Sequence, residues 1–558
     1  PGSKSYTHRL LIASALSDGT CLIKNMLKSE DTLHTLEALK QMGVKAENTE
    51  EGLRIEGTKG VLIPSSKPIC LGNSGTSMRL LTGVAAIGKD AYTLTGTDRM
   101  HERPIQDLID ALKMIAIPVK SLGDDGCPPV EIRGSRIKGG RVSLRCDTSS
   151  QFLSSLLLIA PYTEKGLDIT VTHGPVSKPY IDMTVDIMEQ LGVNVSRDGY
   201  NYFHVPGKQV YRHGTYTVDP DCSQAGYFWA AAAVTKKRIK VNHITKDSRQ
   251  GDVRFVDVLE KMGCRVEHEK DGIAVTGAKL NAVNVDMSDM PDIVPTLAVV
   301  AAFAEGTTKI ENVAHLKEKE SDRLGSVALE LQKMGIKAEA DDAGLTVTGG
   351  KPHGAVINTY DDHRRAMSFA VAGLIVPDMA VYIMNIYLTG YRCTGKTTIG
   401  TLLAENLEWK VVDADEMLVK DAKATISDIV ADQGWDAFRE MEKLIINRIG
   451  QLDQHVVATG GGAVLNNENV KCMKKTGIVV WLKARPETIR KRLEADDNTQ
   501  EQRPSLTSSD LYNEIEEVLN IRNPLYEKAM DFSVETDDKD ISDICNTIIK
   551  ELKCREIQ

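Results

Sequence analysis

The sequence predicts an α/β protein in two parts: a run of repeated β/α modules, then a P-loop domain built on a parallel sheet. Three observations predict it. One phrase recurs at nearly constant spacing through the first 383 residues, a G-x-x-x-x-G-K-[ST] loop follows a short apolar stretch at 386–388, and the 558 residues are 42% hydrophobic and 26% charged. That length implies three to four domains at about 150 residues each, and the composition supplies apolar surface for sizeable cores. With 68 Lys+Arg against 78 Asp+Glu the net charge is −10. This excludes a general nucleic-acid or anionic-membrane binder, so phosphate chemistry must use local basic clusters. No apolar run approaches the roughly 18 residues that span a bilayer. The ten cysteines include no C-x-x-C pair, so neither a disulfide framework nor a zinc site is expected, and a reducing, cytoplasmic setting is.

The repeat is clearest in Lys261-Met262-Gly263 and Lys333-Met334-Gly335, each followed by two alternating stretches around an Asp/Gly turn. Related phrases stand at Gln41-Met42-Gly43 and Gln190-Leu191-Gly192, and a degenerate one at Ala116, so the key positions lie 71 to 76 residues apart. Each unit reads as a helix closed by glycine, then two short strands joined by a turn. A sixth key position would fall near 407, but a different pattern begins by Met384 and the sixth unit reads as cut short. The expected domains are therefore 1–218 with three modules, 219–383 as an incomplete second half, and 384–558. In the last, strands at 386–388, 409–412, 455–458 and 478–482 alternate with helices, as in a doubly covered parallel sheet.

In that last domain, Gly390-Tyr391-Arg392-Cys393-Thr394-Gly395-Lys396-Thr397 sits between strand and helix. Backbone N–H groups from Gly390 to Thr398 would cradle phosphates, Lys396 would reach the β/γ oxygens, and the Thr397 hydroxyl would hold Mg²⁺. The donor is ATP. Asp413 and Asp415 leave the end of the second strand together, one to help hold Mg²⁺ and the other to bind an acceptor hydroxyl. Arg439 and Glu442 share a helix face at i, i+3, and Gly460-Gly461-Gly462 lets a ligand approach the backbone. In this order, and with Arg503-Pro504 and Arg522-Asn523-Pro524 downstream, the segment 384–558 resembles shikimate kinase. The resemblance implies that Asp415, Arg439 and Gly460, Gly461 and Gly462 grip shikimate, with Arg522 on its carboxylate. It implies as well that Arg503 lies in a closing lid and stabilises the transferring group, so that the catalytic residues here are Lys396 and Arg503.

The first 383 residues carry anion-binding patterns. Lys4, Ser5 and Arg9 open a helix, and Gly72-Asn73-Ser74-Gly75-Thr76-Ser77-Met78-Arg79 is a small-residue loop entering another. Arg103-Pro104, Ser149-Ser150-Gln151, Ser177-Lys178-Pro179-Tyr180, Lys319-Glu320-Ser321-Asp322-Arg323 and Asp362-His363-Arg364 come after them. The set resembles 5-enolpyruvylshikimate-3-phosphate (EPSP) synthase over 1 to about 378. That resemblance implies a two-domain enolpyruvyl transferase fold, an inside-out α/β barrel of six such modules. It also implies that phosphoenolpyruvate meets Lys4, Gly75, Arg103, Arg323 and Arg364, and that shikimate 3-phosphate meets Ser5, Arg9, Ser149, Ser150, Gln151, Ser177, Tyr180 and Lys319. Asp292 would lie near the attacking hydroxyl, and Lys4, Asp292 and Glu320 are the proton-transfer candidates. The kinase product is the synthase substrate, and the same pair occurs in pentafunctional aromatic-biosynthesis proteins, which points to association with other shikimate-pathway enzymes. Shikimate, shikimate 3-phosphate and phosphoenolpyruvate are the expected partners, with no nucleic acid and no membrane. The alternative reading leaves only the kinase active, because the family normally continues past 376–378 with a strand, a Cys-containing loop bearing a lysine, and a helix, none of which is expected before Met384.

Overall fold

A computed structural model describes every residue except 66, 124, 361, 378, 383–384, 408, 451, 453, 495–510 and 556–558. The chain forms two compact units, 1–355 with 362–379, and 356–361 with 380–558. Among the described residues no helix is long and apolar enough to cross a membrane.

In the first unit the repeat is visible as a sheet motif. A hairpin follows each key position: Lys45–Thr49 with Gly52–Glu56, Val119–Ser121 with Val130–Gly134, Ser196–Asp198 with Tyr202–Val205, Arg265–Glu269 with Gly272–Thr276, and Lys337–Ala340 with Leu345–Thr348. The second hairpin strand pairs antiparallel with an earlier strand, as Gly52–Glu56 does with Thr20–Lys24. In four of the five sheets a further strand joins parallel, as Thr215–Thr217 does beside Thr20–Lys24. The turn before each hairpin needs the left-handed region, which glycine adopts without a Cβ penalty. Gly43, Gly192, Gly263 and Gly335 have φ of +91°, +80°, +111° and +76°, and Ala116 takes φ +63° in the degenerate copy. The backbone need persists there although the glycine does not.

Six helices of this unit are buried over most of their length. Lys4–Leu16, Gly75–Ile87 and Gln151–Ile159 are three of them; Cys222–Thr235, Val294–Ala301 and His363–Ala372 are the other three. The helices of the second set pack on one another, and Gly75–Ile87 packs on both partners of the first. This burial fixes where their N-termini point.

The second unit holds a five-stranded parallel sheet in the order Lys410–Asp413, His455–Ala458, Asn385–Thr389, Gly477–Lys483, Phe532–Glu535. All five residues of the central Asn385–Thr389 are buried. The edge strand Phe532–Glu535 is one the periodicity missed, since Phe-Ser-Val-Glu is too short to stand out. A two-stranded parallel pair, Val356–Asn358 with Ala380–Tyr382, also belongs to this unit. It corrects the expectation that no strand follows 376–378 before Met384.

Candidate active sites

The phosphate loop of the second unit lies between strand Asn385–Thr389 and helix Lys396–Leu407. Its backbone needs glycine at both ends, with φ of +146° at Gly390 and +91° at Gly395. The Lys396 ammonium donates to the carbonyls of Gly390 and Tyr391, both at 2.9 Å, and so rests folded over the loop. The Thr397 hydroxyl donates to Asp413 Oδ2 at 2.8 Å. Asp413 Oδ1 caps helix Ala414–Ala422 by accepting from the backbone N–H groups of Asp415 and Glu416. A hydroxyl and a carboxylate held together at the loop's end are the hard oxygen donors Mg²⁺ takes.

Facing this loop, Arg439 and Glu442 pair at 2.7 Å, as their i, i+3 spacing predicts. Glu442 is buried with one carboxylate oxygen lacking a hydrogen bond, and burial raises its pKa although Arg439 opposes the shift. The glycine triplet lies directly against these groups. A Cβ on Gly460 would lie 2.7 Å from both Asp415 Oδ1 and Glu442 Oε1, and one on Gly462 would lie 2.2 Å from Arg439 Nη2. Arg522 donates to the Gly461 carbonyl at 3.1 Å. One cavity of about 860 Å³ is lined by Gly395 through Thr398, Asp413, Asp415, Arg439, the triplet and Arg522. Arg503 lies outside the described residues.

In the first unit several of the expected residues lie at or near the N-termini of the six buried helices. Lys4 opens the first, Ser74 caps the Gly75 helix, Ser150 precedes the Gln151 helix, and Asp221 and Asp362 cap the Cys222 and His363 helices. Asp292 lies in the 3-10 turn before Val294. Six positive helix ends aimed at one region favour anions there. Arg323, 1% exposed, pairs with Asp292 at 3.0 Å, Glu320 at 2.8 Å and Asp362 at 2.6 Å. Arg364 pairs with the other Asp292 oxygen at 2.7 Å, and the Tyr180 hydroxyl donates to it at 2.8 Å. Lys4 pairs with Asp31 at 2.9 Å. Arg103 donates to the Asn73 carbonyl at 2.7 Å, and a Cβ on Gly75 would lie 2.4 Å from its Nη2.

Burial would raise the carboxyl pKa of Asp292 and Glu320, but neighbouring cations outweigh it. Arg364 and Arg323 hold Asp292 below the usual range, and Arg323 and Arg103 hold Glu320 well below it. Both are ionised. Lys319 moves the other way, lowered to about 8 chiefly by burial, with Asp292 and Glu320 opposing. Gln151 is oriented between Arg79 at 2.9 Å and the Thr76 hydroxyl at 2.9 Å. Its backbone N–H donates to the Ser149 hydroxyl. Ser177 has φ +56°, with its hydroxyl 3.4 Å from His315 Nε2. The Arg9 guanidinium is held by Thr184, Ser154 and the carbonyls of Ser5 and Tyr180. It anchors the first turn of its helix against Tyr180.

Asp31 and Asp252 belong to the same region and were not picked out by sequence, while Asn73 and Arg79 were named only as members of the 72–79 loop. Asp31 could have been found from its place two residues after Ser29, at a helix start. Asp252 carries no such signal. It is buried, its Oδ1 has no hydrogen-bond partner, and burial pushes its pKa up to about 8.

Comparison with known proteins finds two families along the chain. A family model described as EPSP synthase (3-phosphoshikimate 1-carboxyvinyltransferase) matches residues 1–393, running past Met384 into the phosphate loop, and one for shikimate kinase matches 392–553. A 3-phosphoshikimate 1-carboxyvinyltransferase of Sulfurovum sp. (strain NBC37-1) is 42% identical over 404 residues, 71% of this chain and 92% of that protein. Pentafunctional AROM polypeptide 2 of Lodderomyces elongisporus is 37% identical over 553 residues, covering 86% of this chain and 35% of the polypeptide. Among solved structures, EPSP synthase from Acinetobacter baumannii covers 68% of this chain and 88% of its own, with 29% identity and a TM-score of 0.57.

Proposed function

The chain belongs to the EPSP synthase family and carries a shikimate kinase segment fused behind it, and from this premise we propose that it catalyses two consecutive reactions. Shikimate and ATP give shikimate 3-phosphate and ADP. Shikimate 3-phosphate and phosphoenolpyruvate then give 5-enolpyruvylshikimate 3-phosphate and phosphate. One observation carries the reading: in a single chain, a phosphate loop shares a cavity with an acceptor cradle, while a separate cluster of buried cations stands at converging helix ends. The working division of labour is 384–558 for the kinase, and 1–218 with 219–383 for the synthase.

In the kinase, Lys396 leaves its loop carbonyls to meet the β/γ oxygens of ATP. Asp415 accepts a hydrogen bond from the shikimate hydroxyl to be phosphorylated, while Arg439 and Arg522 take its carboxylate. Thr397 and Asp413 would hold Mg²⁺, which when bound neutralises developing phosphate charge. In the synthase, Lys4, Arg103, Arg323 and Arg364 bind phosphoenolpyruvate, and Ser149, Ser150, Gln151, Ser177 and Lys319 bind the phosphorylated partner. Asp292, ionised and beside Tyr180, accepts the proton of the attacking hydroxyl. Binding a multiply charged anion engages the same cations that keep Glu320 ionised. Its pKa therefore rises in the complex, which suits it to deliver a proton to the methylene carbon and later remove one.

Two predictions arise here. Gly75→Ala should push the Arg103 guanidinium aside. Losing one charge-assisted hydrogen bond should raise the KM for phosphoenolpyruvate about 10- to 100-fold, with kcat changed less; steady-state kinetics at saturating shikimate 3-phosphate measures both. Lys319, at about 8 in the free enzyme, binds a phosphate only while protonated. The kcat/KM for shikimate 3-phosphate should therefore fall about tenfold per pH unit above pH 8, and Lys319→Arg should move that fall to higher pH. The function itself is tested by two half-assays: ADP from ATP plus shikimate, and phosphate from shikimate 3-phosphate plus phosphoenolpyruvate without ATP. Kinase activity alone would leave the synthase half as a binding or scaffold module.

A further inference from the structure

Resting on the synthase reading, we propose that Arg99 is a positioning residue that clasps the segment 317–320 and so presents Lys319 and Glu320 to the ligands. Arg99 lies in the short turn Asp98–Glu102, more than 200 residues from that segment. Its Nη2 donates to the carbonyl of Lys317 at 3.1 Å and to that of Lys319 at 3.2 Å. Its Nη1 pairs with Glu102 at 2.8 Å, which fixes the plane of the guanidinium.

The segment needs such a clasp. Lys317 and Glu318 end the 3-10 turn Ala314–Glu318, and Lys319 after it is extended at φ −87° and ψ −162°, so a continuing helix does not supply donors to its carbonyls. The neighbouring Glu320 carbonyl lies 3.5 Å from Asn73 Nδ2, so a second donor from the N-terminal half meets the same segment. Asn73 also accepts from Arg103, the residue that ends the Asp98–Glu102 turn. One five-residue turn is therefore followed directly by the guanidinium assigned to phosphoenolpyruvate and carries near its start the one that grips the Lys317 and Lys319 carbonyls. Arginine suits the role because a single planar group serves two carbonyls and a carboxylate at once, which an ammonium on a flexible stem does less well.

The test uses the full chain with Arg99→Ala and Arg99→Lys, its shikimate kinase activity as an internal reference for concentration, and the urea unfolding of its first unit as the check on folding. With Arg99→Ala, synthase kcat should fall at least about fivefold, because a displaced segment misplaces two reacting groups, and kinase kcat should not change. Arg99→Lys should recover part of the loss. In the unsubstituted chain, shikimate 3-phosphate with phosphoenolpyruvate should slow hydrogen exchange of the backbone amides in 314–321, and in Arg99→Ala this slowing should be absent. Synthase kcat within twofold of the unsubstituted value, or unchanged ligand protection of 314–321, overturns the proposal. If Arg99→Ala does not fold, the same two readouts are taken on Arg99→Lys. Failure of the synthase reading would show separately, as absence of phosphate release by the unsubstituted chain.

Discussion

Lys396→Ala should lower ATP-dependent phosphorylation of shikimate about 10²- to 10³-fold, the usual cost of removing one preorganised charge from a transferring group. The ammonium opens the helix behind the phosphate loop and already sits among its carbonyls, so it travels a short way to the β/γ oxygens. Alanine removes the ammonium that those oxygens would meet in the loop. The synthase half-reaction, supplied with shikimate 3-phosphate, should proceed at its ordinary rate. ADP formation and phosphate release measured on one preparation decide the matter, and a kinase rate within a few fold of the unsubstituted chain would refute the assignment.

Arg323→Met should abolish the synthase and destabilise the first unit by about 3 to 5 kcal/mol, since removing one member of a buried ionic cluster leaves its partners uncompensated. Three carboxylates, those of Asp292, Glu320 and Asp362, pair with this one guanidinium. All three have pKa values depressed in the folded protein, burial being outweighed by Arg323 or Arg364. A depressed folded pKa contributes stability that is present above the ordinary carboxyl range and lost as pH falls through the folded values. The unsubstituted first unit should therefore lose stability in acid, and Arg323→Met should show a much shallower dependence there. Urea unfolding of the first unit followed by hydrogen exchange of its core amides at several pH values measures the stability, and phosphate release from shikimate 3-phosphate plus phosphoenolpyruvate measures the activity, with kinase activity as the internal reference. Equal unfolding midpoints for the two proteins would show that the cluster is not stabilised by Arg323.

The modular fold was legible because its backbone demand recurs: a left-handed residue before every hairpin leaves Gly43, Gly192, Gly263 and Gly335 in register, and even Ala116 keeps the geometry. The phosphate loop was legible for a similar reason, as its glycines and Lys396 are contiguous in sequence. Other features were not. Asp31, Asn73 and Arg79 act through partners far away in the chain, and nothing local separates Asn73 from any polar loop residue. Asp252 is distinguished only by burial, which periodicity does not report for a lone acid in a 3-10 turn. The strand Ala380–Tyr382 was hidden by its length, and Phe532–Glu535 by lying at a sheet edge with alternating polar residues.

If one chain hands a phosphorylated product from its second unit's chemistry to its first, that product must appear and then be consumed in a single reaction mixture. Phosphorus NMR on the full chain with shikimate, MgATP and phosphoenolpyruvate follows every species at once. The shikimate 3-phosphate resonance should rise and then decline, while phosphoenolpyruvate is consumed and inorganic phosphate appears in step with the enolpyruvyl product. Shikimate 3-phosphate that accumulates to the end beside untouched phosphoenolpyruvate would contradict the two-step assignment.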